Sequence, residues 1–297
     1  MLNPLYISWN VDPDIITLGW FHLRWYSILF VSGLFPIGYL IMRSFYKREG
    51  LPVSLLDPML YALLIGTLVG ARLGHCLFYD PAYYLAHPLD ILKTWEGGLA
   101  SHGGSVGVLL AMWWFTAKYG KKYGFGYIWT LDRLVIAICF AGCLIRLGNL
   151  FNSEIFGHAT TLPWGFKFPR SYEWQALYGP AVYPPDGVAC HPTQLYEALS
   201  YLLLGLGLLW LYLKRLPRLY TGNIFGLFLI GLFGVRILIE FVKNPQEDFE
   251  KEMVLNMGQW LSIPFVLAGV IILILSFVYR HPAQAGAKTG TKIAAKK

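Results

Sequence analysis

Apolar residues in this chain are grouped into long blocks that are separated by short polar connections. Seven blocks can be drawn, at about residues 23–42, 57–78, 98–118, 128–149, 194–213, 222–243 and 258–279. Each holds about 20 residues, the length that an α-helix needs to cross the hydrocarbon core of a bilayer. Strands of a membrane barrel would need much shorter segments of alternating polarity. The pattern therefore predicts an all-α integral membrane protein with seven transmembrane helices.

Composition agrees with a membrane as the solvent of this chain. Hydrophobic residues make up 56% of it and charged residues only 14%, too few for a water-soluble globule of this size. The net charge of +7 would suit nucleic acid, but the basic residues lie in short connections, so we predict the lipid bilayer as partner and no nucleic acid. The first apolar block is full length and follows no basic segment, which favours a retained span over a cleavable signal.

The distribution of basic residues predicts the orientation. By the positive-inside rule, the side richer in lysine and arginine faces the cytoplasm. An odd number of spans places the two termini on opposite sides, and we predict the N-terminus outside and the C-terminus in the cytoplasm. The connections after spans one, three, five and seven carry most of the basic residues, including Arg43, Lys47, Arg48, Lys118, Lys121, Lys122, Lys214, Arg215, Arg218 and Arg280.

Two segments lie outside the spans. The connection at about 150–193, between spans four and five, is rich in aromatic residues and proline, which predicts a small ordered outer head at the membrane interface. Residues 283–297 are small, polar and basic, which predicts a disordered cytoplasmic tail after a transmembrane domain of residues 1–282. The aromatic residues of the head are Trp164, Phe166, Phe168, Tyr172, Trp174 and Tyr178.

With this orientation, six spans bring polar residues to the outer third of the bilayer. Charges at that depth are unfavourable unless they are paired or hydrated, so they usually face a cavity and mark function. Only Asp132 and Arg133 fall at the inner end, where mutual pairing or snorkelling is the simpler explanation. The outer set is Arg24, Tyr26, Arg72, His75, His102, Arg146, Asn149, His191, Gln194, Tyr196, Glu197, Arg236 and Glu240.

The arginines of the outer set indicate a site for an anion. Arg236 and Glu240 can pair as (i, i+4) neighbours, and Glu197 could neutralise a second arginine. Arg72 and Arg146 then have no obvious carboxylate at their depth, unless Arg72 finds acidic residues of the outer connections. A guanidinium matches phosphate oxygens with forked donors, so the expected anion is a phospholipid headgroup.

His102 begins span three and is followed by Gly103 and Gly104. A histidine there could serve as a general base, with glycines that let a bulky headgroup approach the backbone. Alternatively, His102 could form a structural hydrogen bond between helices, and the motif alone favours this explanation. The glycine repeat at Gly66, Gly70 and Gly74 in span two indicates close helix packing.

Several short segments, in this order along the chain, resemble one known family. They are Leu23-Arg24-Trp25-Tyr26, Gly70-Ala71-Arg72-Leu73-Gly74, Trp95-Glu96-Gly97-Gly98 leading to His102-Gly103-Gly104, Arg146 to Glu154 with Gly157, His191-Pro192-Thr193-Gln194-Leu195-Tyr196-Glu197, Arg236 with Glu240-Phe241, and Met257-Gly258-Gln259. In these residues the sequence resembles the prolipoprotein diacylglyceryl transferases, and the resemblance covers nearly the whole chain.

The resemblance implies a role for each matching position. Arg146, Arg236, His102 and Tyr26 would be catalytic, with the arginines on the lipid headgroup and His102 as the base. Three positions depart from the commonest family pattern: Leu232 stands for a frequent tyrosine, and Ile145 and Ser153 each stand for a glycine. The substrate-binding residues would be Arg146, Asn149, Asn152, Glu154, Gly157, Arg72, Glu240, Gly103 and Gly104.

The resemblance also implies the reaction. Members of the family move diacylglyceryl from phosphatidylglycerol to the lipobox cysteine in the signal peptide of a preprolipoprotein, which forms a thioether and releases glycerol phosphate. We therefore expect a transferase in the bacterial cytoplasmic (inner) membrane, with its active site towards the outer leaflet and no metal or other cofactor. The alternatives are a transporter or flippase of an anionic lipid or solute, and a structural or receptor-like seven-helix protein.

Overall fold

The computed structural model describes residues 6–19, 21–172, 176, 187–244 and 253–284. These residues are mostly helical, and a π-helical turn at Gly33–Ile37, which contains Pro36, joins the first two helices. The helices are α1 (Trp25–Ser32), α2 (Gly38–Arg48), α3 (Leu56–Phe78), α4 (Pro81–Ala86), α5 (Ser101–Tyr123), α6 (Tyr127–Phe151), α7 (Thr193–Arg215), α8 (Asn223–Glu240) and α9 (Met257–Tyr279).

In the described part of the chain, six helical segments are long and apolar enough to cross a membrane. This confirms a mostly helical protein of the multi-pass type. The third predicted span, at 98–118, is observed as the continuous 23-residue helix α5, but its composition is more polar than that of the six. The six segments are Trp25–Arg48, Val53–Phe78, Tyr127–Phe151, Thr193–Arg218, Asn223–Glu240 and Met257–Tyr279.

α5 packs along α3 through glycines on both helices. A Cβ atom on Gly103 would overlap the carbonyl oxygen of Gly70, and one on Gly107 would overlap the carbonyl oxygen of Gly66. Backbones that approach this closely leave room only for hydrogen at these positions. The glycine repeat of α3 is therefore a packing seam, as the sequence predicts.

Helix α6 is the centre of the helical bundle. It packs against α1, α2, α5, α7 and α8, and most of its residues from Trp129 to Cys143 are buried. α9 lies against α8 on the far side of this centre. Because α6 passes through the core, polar side chains at its two ends are held by partners from several other helices.

Three short strands precede α1 in the described N-terminal segment. β1 (Ile7–Ser8) pairs in parallel with β4 (Phe166–Lys167), which lies in the connection between α6 and α7. That connection has its own core of Phe156, Phe166 and Phe168, so its described part is packed rather than extended. Trp174 and Tyr178, which the sequence assigns to the same head, lie outside the described residues.

The hairpin of β2 (Asp14–Leu18) and β3 (Phe21–Arg24) leads directly into α1. Asp14 Oδ2 lies 2.8 Å from His22 Nδ1, and Asp14 Oδ1 accepts a hydrogen bond of 3.2 Å from Arg24 Nε. The hydrogen bond with His22 and the positive charges of His22 and Arg24 hold the pKa of the Asp14 carboxyl below its ordinary value. These pairs tie the two strands together just before the first span.

At the opposite end of α6, Arg133 is fully buried and pairs more closely with Glu49 than with its neighbour Asp132. Its Nε and one terminal nitrogen donate to the two Glu49 oxygens at 2.9 Å, and its guanidinium lies over the Trp129 ring at 4.3 Å. Asp132 Oδ2 is 3.8 Å from Arg133 and instead accepts from the backbone N–H of Gly222, at the start of α8. Of the two explanations that the sequence offers for this end, mutual pairing is present as the longer ion pair, and snorkelling is wrong, because both side chains are buried.

The C-terminal segment packs beside this cluster. Ala283 is 2% exposed, its N–H donates to the Leu219 carbonyl at 3.1 Å, and its own carbonyl accepts from Arg133. Ala283, the first residue of the predicted tail, is therefore anchored to the bundle. Residues 285–297, the rest of that prediction, lie outside the described residues.

Candidate active site

Arg146, in the last turns of α6, is held by groups from two helices. Its Nε lies 2.6 Å from Glu197 Oε2 in the first turns of α7, and one terminal nitrogen donates to Asn149 Oδ1 at 3.3 Å. Tyr201, one turn beyond Glu197, also hydrogen-bonds to this guanidinium. Glu197 is fully buried, whereas 15% of the Arg146 side chain is exposed.

This geometry corrects one expectation from the sequence. Arg146 was expected to lack a carboxylate at its depth, but Glu197 supplies one. Tyr201 was not predicted as a site residue at all, although its position four residues after Glu197 puts both on one face of α7. The phenol and the carboxylate together fix the direction in which the Arg146 fork points.

A network of amides extends the site at the end of α6. Glu154 Oε1 accepts hydrogen bonds from Asn149 at 2.8 Å and from Asn152 at 3.1 Å. The Tyr26 ring lies against Gly148, and its phenol interacts electrostatically with Glu154 and Arg146. The structure thus brings these predicted residues together around one carboxylate.

Ser153 adopts a positive φ of 53° between two members of this network. Glycine adopts this conformation without strain, which explains why a glycine at this position would suit the turn. Here the turn keeps its shape with serine in place.

α8 brings a second arginine with a different environment. Arg236 Nε is 3.6 Å from Glu240 Oε1, and 32% of its side chain is exposed. Its terminal nitrogens donate to no residue that the structure describes. Arg236 therefore has the open guanidinium fork that a ligand oxygen could occupy.

Lys243 was not predicted as a site residue. Its Nζ is 3.1 Å from Glu240 Oε1 and 3.7 Å from Glu197 Oε1, and only 1% of its side chain is exposed. Asn256, which caps α9, donates to Glu240 Oε2 at 3.0 Å. Lys243 thus links the carboxylates of α7 and α8, and its position three residues after Glu240 was the only sequence signal for it.

The site as a whole is balanced in charge. The prediction of an excess of arginines is wrong, because each described cation of the site has a carboxylate close to it. An anion would be held by the open donors of Arg236 and by the exposed side of Arg146, rather than by a surplus of positive charge. The charged members are Arg146, Arg236 and Lys243 against Glu154, Glu197 and Glu240.

Arg72 has different partners from the other two arginines. Its guanidinium donates to the backbone carbonyls of Asp90, Ile91, Gly97 and Gly98, at 2.5, 2.8, 2.7 and 3.2 Å. The predicted role of Arg72 in substrate binding stays a prediction. The observed contacts explain Arg72 as the residue that fixes the connection between α4 and α5.

His102 lies at the junction of α3 and α5, where its ring packs against Phe78 and Tyr79 at centroid distances of 5.3 and 6.0 Å. Among the described residues it contacts no member of the Arg146 cluster. Its neighbour Gly103 belongs to the packing seam, and Gly104 faces Ala71 and Thr67 across the same interface. Their roles in catalysis and binding stay predictions.

Gly157 has a packing explanation as well. A Cβ atom there would overlap the carbonyl oxygen of Val242, and the Gly157 carbonyl accepts a hydrogen bond of 3.2 Å from Asn244. This close approach positions the segment that carries Lys243. Leu232 packs with the buried cluster of Cys143 and Tyr201, so this departure leaves an apolar contact beside the site.

If Gly103 is needed for the packing of α5 on α3, its replacement by alanine should lower the thermal stability of the protein. We expect Gly103→Ala to lower the melting temperature of the detergent-solubilised protein by several degrees, because helix α5 would have to move away from α3. Gly207→Ala is the matched control, since a Cβ atom at Gly207 meets nothing within 4 Å. An unchanged melting temperature for Gly103→Ala would contradict the packing role.

Comparisons with known proteins agree with this arrangement. The sequence model of the family described as prolipoprotein diacylglyceryl transferase matches residues 13–275. A relative from Porphyromonas gingivalis is 47% identical over 279 residues, which cover 92% of this chain and 96% of the relative. One from Tolumonas auensis is 47% identical over 270 residues, covering 91% and 97%. One from Bacteroides fragilis is 38% identical over 278 residues, covering 90% and 94%.

All three relatives are named phosphatidylglycerol–prolipoprotein diacylglyceryl transferase. The match extends from the first hairpin into the last helix, and it includes every helix that contributes to the Arg146 cluster. The family expected from the sequence is thus confirmed, and the chain belongs to the prolipoprotein diacylglyceryl transferases.

Proposed function

We propose that this transferase moves diacylglyceryl from phosphatidylglycerol to the lipobox cysteine of a preprolipoprotein. The observation that carries the proposal is the pair of arginines at the ends of α6 and α8, one held by Glu197 and one with open donors. The names of the relatives support the same two substrates.

In this proposal the chain crosses the bilayer seven times, with the site residues at one end of the bundle. Arg146 ends α6, Glu197 begins α7 and Arg236 lies near the end of α8, so all three lie at one end of the bundle. With α5 counted as a span, the N-terminus lies outside, and the site opens towards the outer leaflet of the bacterial cytoplasmic membrane. The basic residues of the opposite connections support this orientation.

The same orientation assigns residues 1–282 to the transmembrane domain and the connection at 150–193 to an outer head. The packed phenylalanine core of that connection supports the head. Residues after the Ala283 anchor would form the cytoplasmic tail.

The reaction follows from the chemistry of a thiol and a phosphate ester. The cysteine thiol loses its proton to a base, and the thiolate attacks the glyceryl carbon that bears the phosphate. A C–S bond forms, the C–O bond breaks, and its electron pair leaves with glycerol phosphate. Negative charge on the leaving phosphate therefore has to be stabilised.

Arg236 and Arg146 would stabilise that charge from fixed positions. The carboxylates of Glu240 and Glu197 orient the two guanidinium groups before the lipid arrives, so little reorganisation is needed during the reaction. Asn149, Asn152 and Glu154 line the site beside Arg146, and the Tyr26 ring lies against Gly148. Their hydrogen bonds with one another support this positioning role.

We propose His102 as the base, with its ring packed against Phe78 and Tyr79 at the start of α5. The His102→Gln variant should then lower kcat at neutral pH by about 100-fold or more, because the thiol must ionise unaided. The measurement is transfer of labelled diacylglyceryl to a lipobox peptide by purified enzyme. A variant with normal kcat would exclude this role, and the arginine field alone would have to ionise the thiol.

A transporter of anionic lipids is the second candidate. Alternating access needs polar residues that continue to the inner side, whereas α6 is apolar from Leu134 to Ile145. The decisive experiment is incubation of the purified protein with phosphatidylglycerol and a lipobox peptide. A thioether-linked product supports the transferase, and lipid movement without product would support the transporter.

A further inference from the structure

Buried side-chain atoms that lack a hydrogen-bond partner are concentrated in one place. Within the described residues these atoms are Asn152 Oδ1, Ser153 Oγ, Gln194 Oε1 and both carboxylate oxygens of Glu197. Gln194 and Glu197 are fully buried, and Ser153 is 1% exposed. A buried polar atom without a partner is unfavourable by about 1–3 kcal/mol, so such a concentration at one site indicates a ligand.

Asn152, Ser153, Gln194 and Glu197 form one wall of the site. Gln194 Nε2 donates to the backbone carbonyl of Glu154 at 2.7 Å, which joins the start of α7 to the turn after α6. Glu197 lies three residues after Gln194, on the same face of α7. Ion pairs with Arg146 and Lys243, at 2.6 and 3.7 Å, hold the Glu197 carboxylate in place without a hydrogen bond of good geometry. The wall therefore lies directly beside the Arg146 guanidinium.

Four of the five unused atoms are acceptors only, whereas Ser153 Oγ can also donate, and the amide orientations are determined by their partners. Gln194 Nε2 faces a carbonyl oxygen and Asn152 Nδ2 faces the Glu154 carboxylate, groups that can only accept. Each amide must therefore turn its nitrogen to that partner and its oxygen away from it. The wall thus suits a ligand that donates hydrogen bonds.

We infer that Asn152, Gln194 and Glu197 accept hydrogen bonds from the hydroxyls of the lipid's glycerol headgroup and so select the donor lipid. The inference rests on the proposed function and extends it to headgroup specificity. In phosphatidylglycerol the free hydroxyls lie two and three carbons along from the phosphate oxygen. A phosphate on the Arg146 and Arg236 side of the site would place these hydroxyls at the wall.

The test compares two donor lipids with the same acyl chains, phosphatidylglycerol and phosphatidylpropanol, which has the three-carbon headgroup without hydroxyls. We expect the wild-type enzyme to prefer phosphatidylglycerol in kcat/KM by about 100-fold or more, because the hydroxyl-free lipid leaves the acceptors unpaired. Gln194→Met should reduce this preference by about tenfold, mainly through a lower rate with phosphatidylglycerol. If Gln194→Met does not fold, Asn152→Leu replaces it in the test. Asn152 is partly exposed, and its variant should also reduce the preference for phosphatidylglycerol.

Gln259→Met is the matched control. Gln259 is also buried at the start of a helix, but it bonds the Asn256 N–H and the Ile237 carbonyl instead of facing the wall. Any damage to the fold should lower kcat/KM for both lipids by the same factor, so the preference should stay at the wild-type value. A Gln194→Met enzyme that behaves in this way would overturn the inference.

Three further outcomes distinguish failure of this inference from failure of the proposed function. A wild-type enzyme that uses both lipids equally would overturn the hydroxyl subsite and leave the transferase intact. The Gln194→Met enzyme could also keep the wild-type lipid preference and show a raised KM for the lipobox peptide. That result would assign the wall to the peptide and overturn the inference. A wild-type enzyme inactive with both lipids would remove the proposed function and this inference with it.

Discussion

Arg146→Lys should lower transfer by about 100- to 1000-fold, while the protein stays folded in the membrane. Lysine keeps the positive charge but lacks the planar fork that reaches Glu197, Asn149 and the substrate side at once. The loss of fixed donors should therefore appear in kcat more than in KM. The measurement is steady-state transfer of labelled diacylglyceryl from phosphatidylglycerol to a lipobox peptide.

Arg48→Lys provides the control for the exchange of arginine for lysine. Arg48 is exposed at the end of α2, where it donates to the Leu213 carbonyl at 2.8 Å, far along the chain from the site. Its variant should keep a rate within about twofold of wild type, as expected for a surface substitution. Turnover by Arg146→Lys at the rate of Arg48→Lys would remove the headgroup role of Arg146.

Arg133→Met should lower the free energy of unfolding by about 3–5 kcal/mol, because it leaves the buried Glu49 carboxylate without its main cation. Arg133 has no exposed surface, and the Glu49 side chain is 3% exposed. Trp129 Nε1 at 3.2 Å and the Tyr212 hydroxyl at 2.8 Å also donate to Glu49, but neither of these donors carries a charge. Denaturation of the purified protein in detergent measures the loss.

The double variant with Glu49→Met tests the cause. Removal of both charges leaves no lone charge at the Arg133–Glu49 pair, and Asp132 keeps its backbone N–H donors, so the double variant should recover much of the stability that Arg133→Met loses. Arg133 and Arg146 are about 20 Å apart along α6 at 1.5 Å per residue. The folded double variant should therefore transfer diacylglyceryl at a rate close to wild type. A double variant that is no more stable than Arg133→Met would contradict the ion-pair explanation.

The helices were predictable because the bilayer imposes a strong pattern on the sequence. Six of the seven predicted blocks each coincide with one observed helix, and the first block covers α1, the π-helical turn and part of α2. α5 shows the limit of that pattern. Its glycines and polar first turn reduce its hydropathy, and they become intelligible only beside α3, against which the glycines pack.

The partners of the arginines were much harder to predict. The sequence places Arg72 and Arg146 at similar depth, yet one binds backbone carbonyls of a connection and the other a carboxylate of α7. Depth along a helix does not specify the direction in which a side chain points towards its neighbours. Lys243 was missed for the same reason, since it is a residue of a connection by sequence and becomes buried between two helices.

The sequence alone thus determined the membrane environment, the helices, the family and the end of the bundle at which polar residues collect. These features depend on hydropathy and on short motifs, both of which are local in the chain. Within the described residues, tertiary structure decided that the site is balanced in charge, that Arg236 keeps open donors and that unused acceptors gather beside Arg146. Those features depend on contacts between α6, α7 and α8, because the energy of a buried charge is set by the groups that surround it in space.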